Sequence, residues 1–200
     1  MNDYPEYIEV NGKKYKINTD FRFAIECNRI AEDDTINDFE RALGIIETLF
    51  GDEAIDDGKN NIDIYSSFMK IARKYLCCGK ELENNENNEE PDMDFIEDMD
   101  YIEASFMSDY HIDLAETKMH WWKFYNLING LSNSEMGNCC VLNRIRNLRT
   151  YDTKDIKDKK ELEKIMKAKE QVALKKNKKQ NNLTEEQEKS IQKLNEILGI

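Results

Sequence analysis

The chain has 200 residues, of which 40% are hydrophobic and 35% charged, and its formal net charge is −12 at pH 7. A hydrophobic fraction of this size can form a core, which excludes a wholly disordered chain. The acidic excess lies in residues 1–150. Such a surface repels phosphate backbones, so we expect no nucleic-acid partner for the body of the protein.

Hydropathy and cysteine usage indicate the compartment. No stretch has the apolar length of a bilayer-spanning helix, and the N-terminus lacks the pattern of a signal peptide. Four of the five cysteines form two adjacent pairs, Cys77-Cys78 and Cys139-Cys140, which is not the spacing of a disulfide framework. The sequence therefore predicts a protein of a reducing cytoplasm with no membrane partner.

The N-terminus has the pattern of a β-hairpin. Apolar residues alternate on both sides of Asn11-Gly12, at Ile8, Val10, Tyr15 and Ile17. Asn-Gly supplies the two positive-φ residues of a type I′ turn. Since two strands alone are marginal in water, we expect the hairpin to lie on helices or to find a third strand.

Helical periodicity dominates the rest of the chain. The predicted fold class is mainly α: a small N-terminal β-hairpin followed by about six to eight helices in a bundle-like arrangement. The stretch from Asp52 to Asn61 is predicted as turn, and the most hydrophobic helix is predicted to start at Asp113.

Composition divides the sequence into four parts. Residues 1–79 hold the hairpin and the first helices, and residues 80–93 form a mobile acidic linker rich in Asn and Glu. Residues 94–150 form a helical core that contains the aromatic helix, and residues 151–200 form a charged C-terminal helical extension. The lysine run at 175–179 is interpreted as a solvated hinge, because no aromatic residue interleaves it to stack on bases.

Catalytic and metal-binding motifs are absent from the sequence. There is no zinc-type cysteine or histidine spacing, no phosphate-binding glycine loop and no nucleophile motif. We therefore expect no enzyme activity, no catalytic residue, no metal and no cofactor.

The segment from His120 to Tyr125 is the most distinctive part of the chain, with five rings in six positions. Consecutive helical positions differ by ~100°, so one face cannot hold all of them. One interpretation is a central helix buried on most sides. The other is that Trp122 or Tyr125 anchors a partner protein while Trp121 and Phe124 hold the fold.

Three groups of residues carry a resemblance to a known family. They are Tyr110-x-Ile112-Asp113-Leu114 with the run His120-Trp121-Trp122-Lys123-Phe124 and Gly130-Leu131, the opening from Val10 to Arg22, and Ile156-Lys157-Asp158-Lys159. Over about residues 6–165 the chain resembles the gene-product-fifteen family of tailed bacteriophages and prophages. The resemblance makes His120, Trp121 and Phe124 the structural signature, and the aromatic helix makes Trp122, Lys123 and Tyr125 the candidate partner-binding residues.

Genes of that family typically lie between those for the major tail protein and the tape measure protein. The resemblance thus implies a tail assembly chaperone that binds the tape measure protein in the host bacterial cytoplasm. A sister tail assembly chaperone, the major tail protein and further copies of the chain are the other partners it implies. The alternative is a structural component of the tail or of the head–tail region.

Overall fold

The structure is a computed structural model that describes residues 4–59, 61–80, 91–133 and 139–175. Within these ranges the chain forms two strands followed by eight helices: β1 (Tyr7–Val10), β2 (Lys13–Lys16), α1 (Phe21–Ala31), α2 (Asp38–Phe50), α3 (Asp52–Gly58), α4 (Ile62–Leu76), α5 (Met99–Tyr110), α6 (Trp121–Asn129), α7 (Val141–Thr150) and α8 (Lys159–Val172). The prediction of a mainly α fold with an N-terminal hairpin is confirmed. Most of the predicted acidic linker and the end of the C-terminal extension lie outside the described residues.

The hairpin forms as the alternation predicts. Asn11 and Gly12 have φ of 50° and 79°, which is the positive-φ pair of a type I′ turn. Strands β1 and β2 pair antiparallel, with Glu9 opposite Lys14. Of the four alternating apolar residues, Val10, Tyr15 and Ile17 are buried. Ile8 is half-buried.

The prediction of a turn from Asp52 to Asn61 is wrong, because residues 52–58 form α3. Ala54 is fully buried on this helix, and Asp52 in its first turn complements the positive end of the helix dipole. Helix α3 also anchors β2. The carboxylate of Asp57 accepts a hydrogen bond from the Tyr15 hydroxyl at 2.6 Å and forms an ion pair with Lys13 at 2.5 Å.

The aromatic helix begins later than predicted, at Trp121 rather than after Asp113. The Asp113 carboxylate accepts the N–H of Ala115, but residues 114–116 form only a turn. The guanidinium of Arg22 on α1 donates to the carbonyls of Leu114 and Ala115. Those carbonyls are therefore held by a side chain and do not enter a helical ladder.

Contacts divide the chain into two discontinuous units. Unit 1 comprises residues 1–86 and 106–131, and unit 2 comprises residues 87–105 and 132–200. The boundary falls within α5, between Ser105 and Phe106. This division differs from the sequence-based one, because the aromatic helix packs on α1 and belongs with the N-terminal elements.

Unit 2 is organised around a buried ion pair. Arg149 on α7 donates to both carboxylate oxygens of Asp98, at 2.6 and 2.7 Å, and the Asp98 side chain is 1% exposed. The same guanidinium donates to the carbonyls of Asp92 and Val172. One side chain thus joins the segment before α5 to α7 and to the end of α8.

Candidate functional site

The candidate site is built in unit 1 where two distant segments meet. Asp20, at the start of α1, and His120, at the start of α6, form an isolated antiparallel β-bridge. The Phe21 N–H donates to the Met119 carbonyl at 2.9 Å, and the Trp121 N–H donates to the Thr19 carbonyl at 2.8 Å. Both segments belong to the motifs that carry the family resemblance, so those motifs meet in space although about a hundred residues separate them in sequence.

Each bridge residue caps its own helix. The Asp20 carboxylate accepts the Arg22 N–H, and His120 Nδ1 accepts the Trp122 N–H at 3.0 Å. His120 Nε2 lies 3.1 Å from the Pro5 carbonyl oxygen. Because a carbonyl only accepts, Nε2 donates to Pro5, and Nδ1 accepts the Trp122 N–H. His120 is therefore a structural N-cap, in a role usually filled by Ser, Thr, Asp or Asn.

Phe124 lies at the centre of a cluster of rings. It stacks on Phe21 of α1 with centroids 4.3 Å apart, and on Phe106 of α5 with centroids 5.3 Å apart. Trp121 completes the cluster at 5.9 Å. Trp121 is 2% exposed and Phe124 is fully buried. The structure places both residues in the core of unit 1.

Both tryptophans close the carboxyl end of α4. The Trp121 indole N–H donates to the Leu76 carbonyl at 3.0 Å, and the Trp122 indole N–H donates to the Tyr75 carbonyl at 2.9 Å. The last carbonyls of a helix have no partner within the helix. The Trp121 indole therefore supplies a donor to the Leu76 carbonyl, and the Trp122 indole adds a donor to the Tyr75 carbonyl, which gives Trp122 a structural role that its sequence position did not reveal.

The chain leaves α4 through a Schellman motif that brings its backbone against Trp122. The Gly79 N–H donates to the Lys74 carbonyl at 2.8 Å, and the Cys78 N–H donates to the Tyr75 carbonyl at 3.0 Å. Gly79 has φ of 77°, and a Cβ there would lie 3.1 Å from the Trp122 ring. Only glycine allows both this conformation and this close approach.

The three candidate partner-binding residues have different environments. Lys123 is exposed, whereas Trp122 and Tyr125 are half-buried. Trp122 is also surrounded by the rings of Tyr4, Tyr75 and His120. Binding of a partner by any of the three stays a prediction.

An exposed apolar cluster on α2 and α4 was not singled out from the sequence. Phe39 was expected in line with the inward residues of α2, but it is 58% exposed. Its ring stacks on Tyr65 of α4 with centroids 5.6 Å apart. Ile62, three positions before Tyr65 on the same helical face, is 74% exposed. We call Phe39, Ile62 and Tyr65 the α2/α4 apolar patch.

Two thiols of unit 1 are made less acidic by burial. Burial raises the pKa of the Cys27 thiol to about 12 and that of Cys78 to about 11. Thiols with such values are poor nucleophiles and metal ligands at neutral pH. Among the described residues, no cluster of His, Cys, Asp and Glu has the arrangement of a metal site.

These features define a mainly α-helical protein in which an aromatic helix, started by a β-bridge, organises the N-terminal unit. In the part of the chain that the structure describes, no helix has the length and apolarity needed to cross a membrane. A family model described as Bacteriophage Gp15 protein matches residues 1–174. The chain belongs to this bacteriophage family, which confirms the family predicted from the resemblance. Searches of curated proteins and of solved structures gave no match.

Proposed function

We propose that this phage protein is a tail assembly chaperone, without enzyme activity, that binds the tape measure protein in the host bacterial cytoplasm. Membership of the Bacteriophage Gp15 family supports the phage setting. A tape measure protein is a long helix with exposed apolar surface. A chaperone for it needs apolar contact surface of its own together with enough charge to stay in solution.

The observation that carries this proposal is the α2/α4 apolar patch. A cluster of large apolar side chains that is exposed to solvent marks a surface for contact with another protein. Phe39 and Tyr65 are stacked on each other and the Tyr65 hydroxyl donates to the Phe39 carbonyl, so the aromatic pair is held in place before binding. An ordered pair loses little side-chain freedom when a client helix packs on it.

Net charge supports the same role. At −12 the chain repels its own copies at long range and resists non-specific association. Ordered assembly along a client then depends on the apolar contacts. A sister tail assembly chaperone, the major tail protein and further copies of the chain are the additional partners in this proposal. Trp122, Lys123 and Tyr125 of α6 are the proposed second contact.

The alternative function is a structural component of the tail or of the head–tail region. Quantitative mass spectrometry of purified phage particles separates the two. A chaperone is absent or present in traces, whereas a structural component is present in a fixed ratio to the major tail protein. Stoichiometric copies in the particle would contradict the chaperone proposal.

Co-expression with the tape measure protein of the same phage tests the contact surface. We expect the wild-type chain to keep the tape measure protein in the soluble fraction as a complex, and the double variant Phe39→Ser with Ile62→Ser to lose it. Met107→Ser is the matched control, because Met107 is 48% exposed in unit 1 and lies outside the patch. Equal solubilisation by the patch variant and the control would exclude the α2/α4 apolar patch as the contact surface for the tape measure protein.

A further inference from the structure

Among the described residues, the outer edge of β1 has no neighbouring strand. In an antiparallel pair joined by a two-residue turn, the residues that flank the turn exchange hydrogen bonds, and the pattern then alternates. The bond from the Ile17 N–H to the Glu6 carbonyl at 2.8 Å fits this alternation. The backbone groups of Tyr7 and Glu9 therefore point away from β2. Among the described residues, no backbone hydrogen bond joins this edge of β1 to another element.

A groove runs between β1 and α4. Its two adjoining parts have volumes of about 290 and 170 Å³ and share Ile71. The side chains that the argument uses are Pro5, Ile8 and Val10 on the hairpin side, and Lys70, Ile71 and Lys74 on the helix side. Ile8 and Ile71 are only half-buried, because a two-stranded sheet is too narrow to cover this face of α4.

The groove is lined by two lysines and one acidic residue, Glu9, so its charge is opposite to that of the chain as a whole. Lys70 and Lys74 are one turn apart on α4 and exposed. Within the described residues neither forms an ion pair, whereas Lys13 and Lys59 nearby in unit 1 both do. An open row of backbone donors and acceptors beside an apolar groove is what strand addition to a sheet edge requires. The two ammonium groups add a preference for an acidic segment.

We propose that β1 takes up an extended segment of a partner protein as a third strand. Alternate side chains of that segment are apolar and enter the groove over Ile8 and Ile71, and at least one carboxylate on it meets Lys70 or Lys74. A second copy of the chain fits this edge poorly, since a symmetric pairing would bring Glu9 residues of two acidic chains together. The inference is independent of the tape measure protein, because its occupant is extended and not helical.

Selection from a library of random linear peptides against the full chain tests the proposal without a known partner. We expect the enriched peptides to carry apolar residues at every second position together with Asp or Glu. The most enriched sequence is then made as a fluorescein-labelled peptide, and its affinity is measured by anisotropy. Enrichment of peptides with helical i, i+4 spacing, or enrichment of none, would overturn the proposal.

Two proline variants at directly opposed positions provide the matched comparison. Glu9→Pro removes an N–H from the open edge of β1, and Lys14→Pro removes the corresponding N–H from the outer edge of β2, while neither N–H takes part in the β1–β2 ladder. We expect Glu9→Pro to weaken peptide binding by about tenfold or more and Lys14→Pro to leave it unchanged. Equal affinities would exclude strand addition at β1.

Two further measurements remain decisive if Glu9→Pro perturbs the fold. Charge reversal by Lys70→Glu with Lys74→Glu is expected to weaken peptide binding by about tenfold. Amide exchange of Tyr7 and Glu9, measured by NMR, is expected to slow on peptide addition, and unchanged exchange would contradict the proposal.

Light scattering tests whether a second copy of the chain occupies the edge, since a dimer that Glu9→Pro dissociates would assign the edge to a second copy. None of these results bears on solubilisation of the tape measure protein, so this proposal and the proposed function fail separately.

Discussion

At the scale of single residues, Arg149 makes the largest number of tertiary hydrogen bonds described for a side chain of unit 2. Its planar guanidinium donates at once to Asp98, to the Asp92 carbonyl and to the Val172 carbonyl. A buried carboxylate such as Asp98 is tolerated only with a partner of matching geometry. The neighbouring pair of Arg146 and Asp92, which is more exposed, contributes much less.

Substitution of Arg149 is therefore expected to destabilise unit 2. Arg149→Ala leaves the Asp98 carboxylate buried without its ionic partner, and we expect a loss of about 3–5 kcal/mol. Arg149→Lys keeps the charge but loses the two-pronged contact, and we expect an intermediate loss. Hydrogen exchange of the α7 and α8 segments measures the effect. Arg144→Ala, at an exposed position on the same helix, serves as control, and an equal effect there would contradict the role of Arg149.

Two buried tyrosines differ in whether the hydroxyl has a partner. The Tyr15 hydroxyl donates to Asp57, whereas the Tyr75 hydroxyl, buried in unit 1, has no hydrogen-bond partner among the described residues. We expect Tyr75→Phe to be neutral or to stabilise the protein by about 1 kcal/mol, and Tyr15→Phe to destabilise it by about 1–2 kcal/mol. Urea unfolding of both variants measures the contrast. A loss in Tyr75→Phe as large as that in Tyr15→Phe would show that an unseen partner is lost.

The carboxylate of Asp57 gives the hairpin anchor a dependence on pH. Hydrogen bonds from Lys13 and then from Tyr15 lower the pKa of Asp57 below its ordinary value of 3.8. A lowered pKa in the folded state means that the contribution to stability is present above the unfolded pKa and is lost as pH falls through the folded pKa. We expect the difference in unfolding free energy between wild type and Asp57→Asn to be constant at neutral pH and to shrink below about pH 4. Urea unfolding at pH 7 and pH 3 measures this difference. A difference that grows in acid would show that the ionised Asp57 carboxylate does not stabilise the hairpin.

At the scale of elements, the carboxyl end of α4 receives two of its hydrogen-bond donors from the aromatic helix, the indole N–H groups of Trp121 and Trp122. Gly79 is needed there for two separable reasons, its positive φ and the approach of Trp122 to 3.1 Å from a Cβ. Gly12 shares the first reason only, with φ of 79° and open space around a Cβ. A comparison of substitutions at the two glycines therefore separates the cost of backbone strain from the cost of a steric conflict with Trp122.

We expect Gly12→Ala to cost about 1 kcal/mol, which is the penalty of a left-handed conformation for an L-residue. Gly79→Ala adds displacement of the Trp122 ring, so we expect it to cost at least about 1 kcal/mol more. Thermal unfolding followed by tryptophan fluorescence measures both. Equal losses in the two variants would mean that Trp122 moves freely and does not close α4.

The sequence predicts those elements whose signals are local. The hairpin follows from Asn11-Gly12 and from alternation, and α1, α2 and α4 follow from periodicity. Helix α3 was missed because its seven residues are rich in turn-formers, whereas the structure stabilises it by burial of Ala54 and by Asp52 in its first turn. The start of α6 was misplaced because Arg22, far away in sequence, holds the carbonyls after Asp113.

The candidate site was predictable in its residues and not in their contacts. The density of rings from His120 to Tyr125 indicated a packed helix, and the motif indicated the family. The bridge between Asp20 and His120 and the capping of α4 by two indole groups involve partners about 45 to 100 residues away in sequence. A periodicity argument works within one element, so it cannot find such pairs. Periodicity also misplaced the α2/α4 apolar patch. Phe39 has the helical spacing of a core residue, so the sequence predicts that it is buried, but it is exposed.

At the scale of the whole molecule, unit 1 is assembled from two separate stretches of sequence. Residues 1–86 supply the hairpin and α1 to α4, and residues 106–131 supply Phe106, Trp121 and Phe124. Each of these three side chains is at most 2% exposed. The N-terminal stretch alone therefore lacks part of its own core.

We expect a fragment of residues 1–80 to show no cooperative unfolding, because Phe21 loses its stacking partner and α4 loses both indole donors. A fragment of residues 1–131 contains all of unit 1, and we expect it to unfold cooperatively with tryptophan emission close to that of the full chain. Near-ultraviolet circular dichroism and urea titration compare the two. Cooperative unfolding of the shorter fragment would show that the aromatic helix is dispensable for the N-terminal core.

The pairing of Phe21 with Phe124 also has a consequence for synthesis on the ribosome. About a hundred residues separate the two rings in sequence. At a translation rate of ~5–20 residues per second, Phe124 is made roughly 5–20 s after Phe21. During that interval α1 presents its apolar side to the cytosol without the helix that covers it. Slow codons between residues 80 and 131 would lengthen this exposure, so the yield of folded protein is expected to depend on the speed at which that part of the message is read.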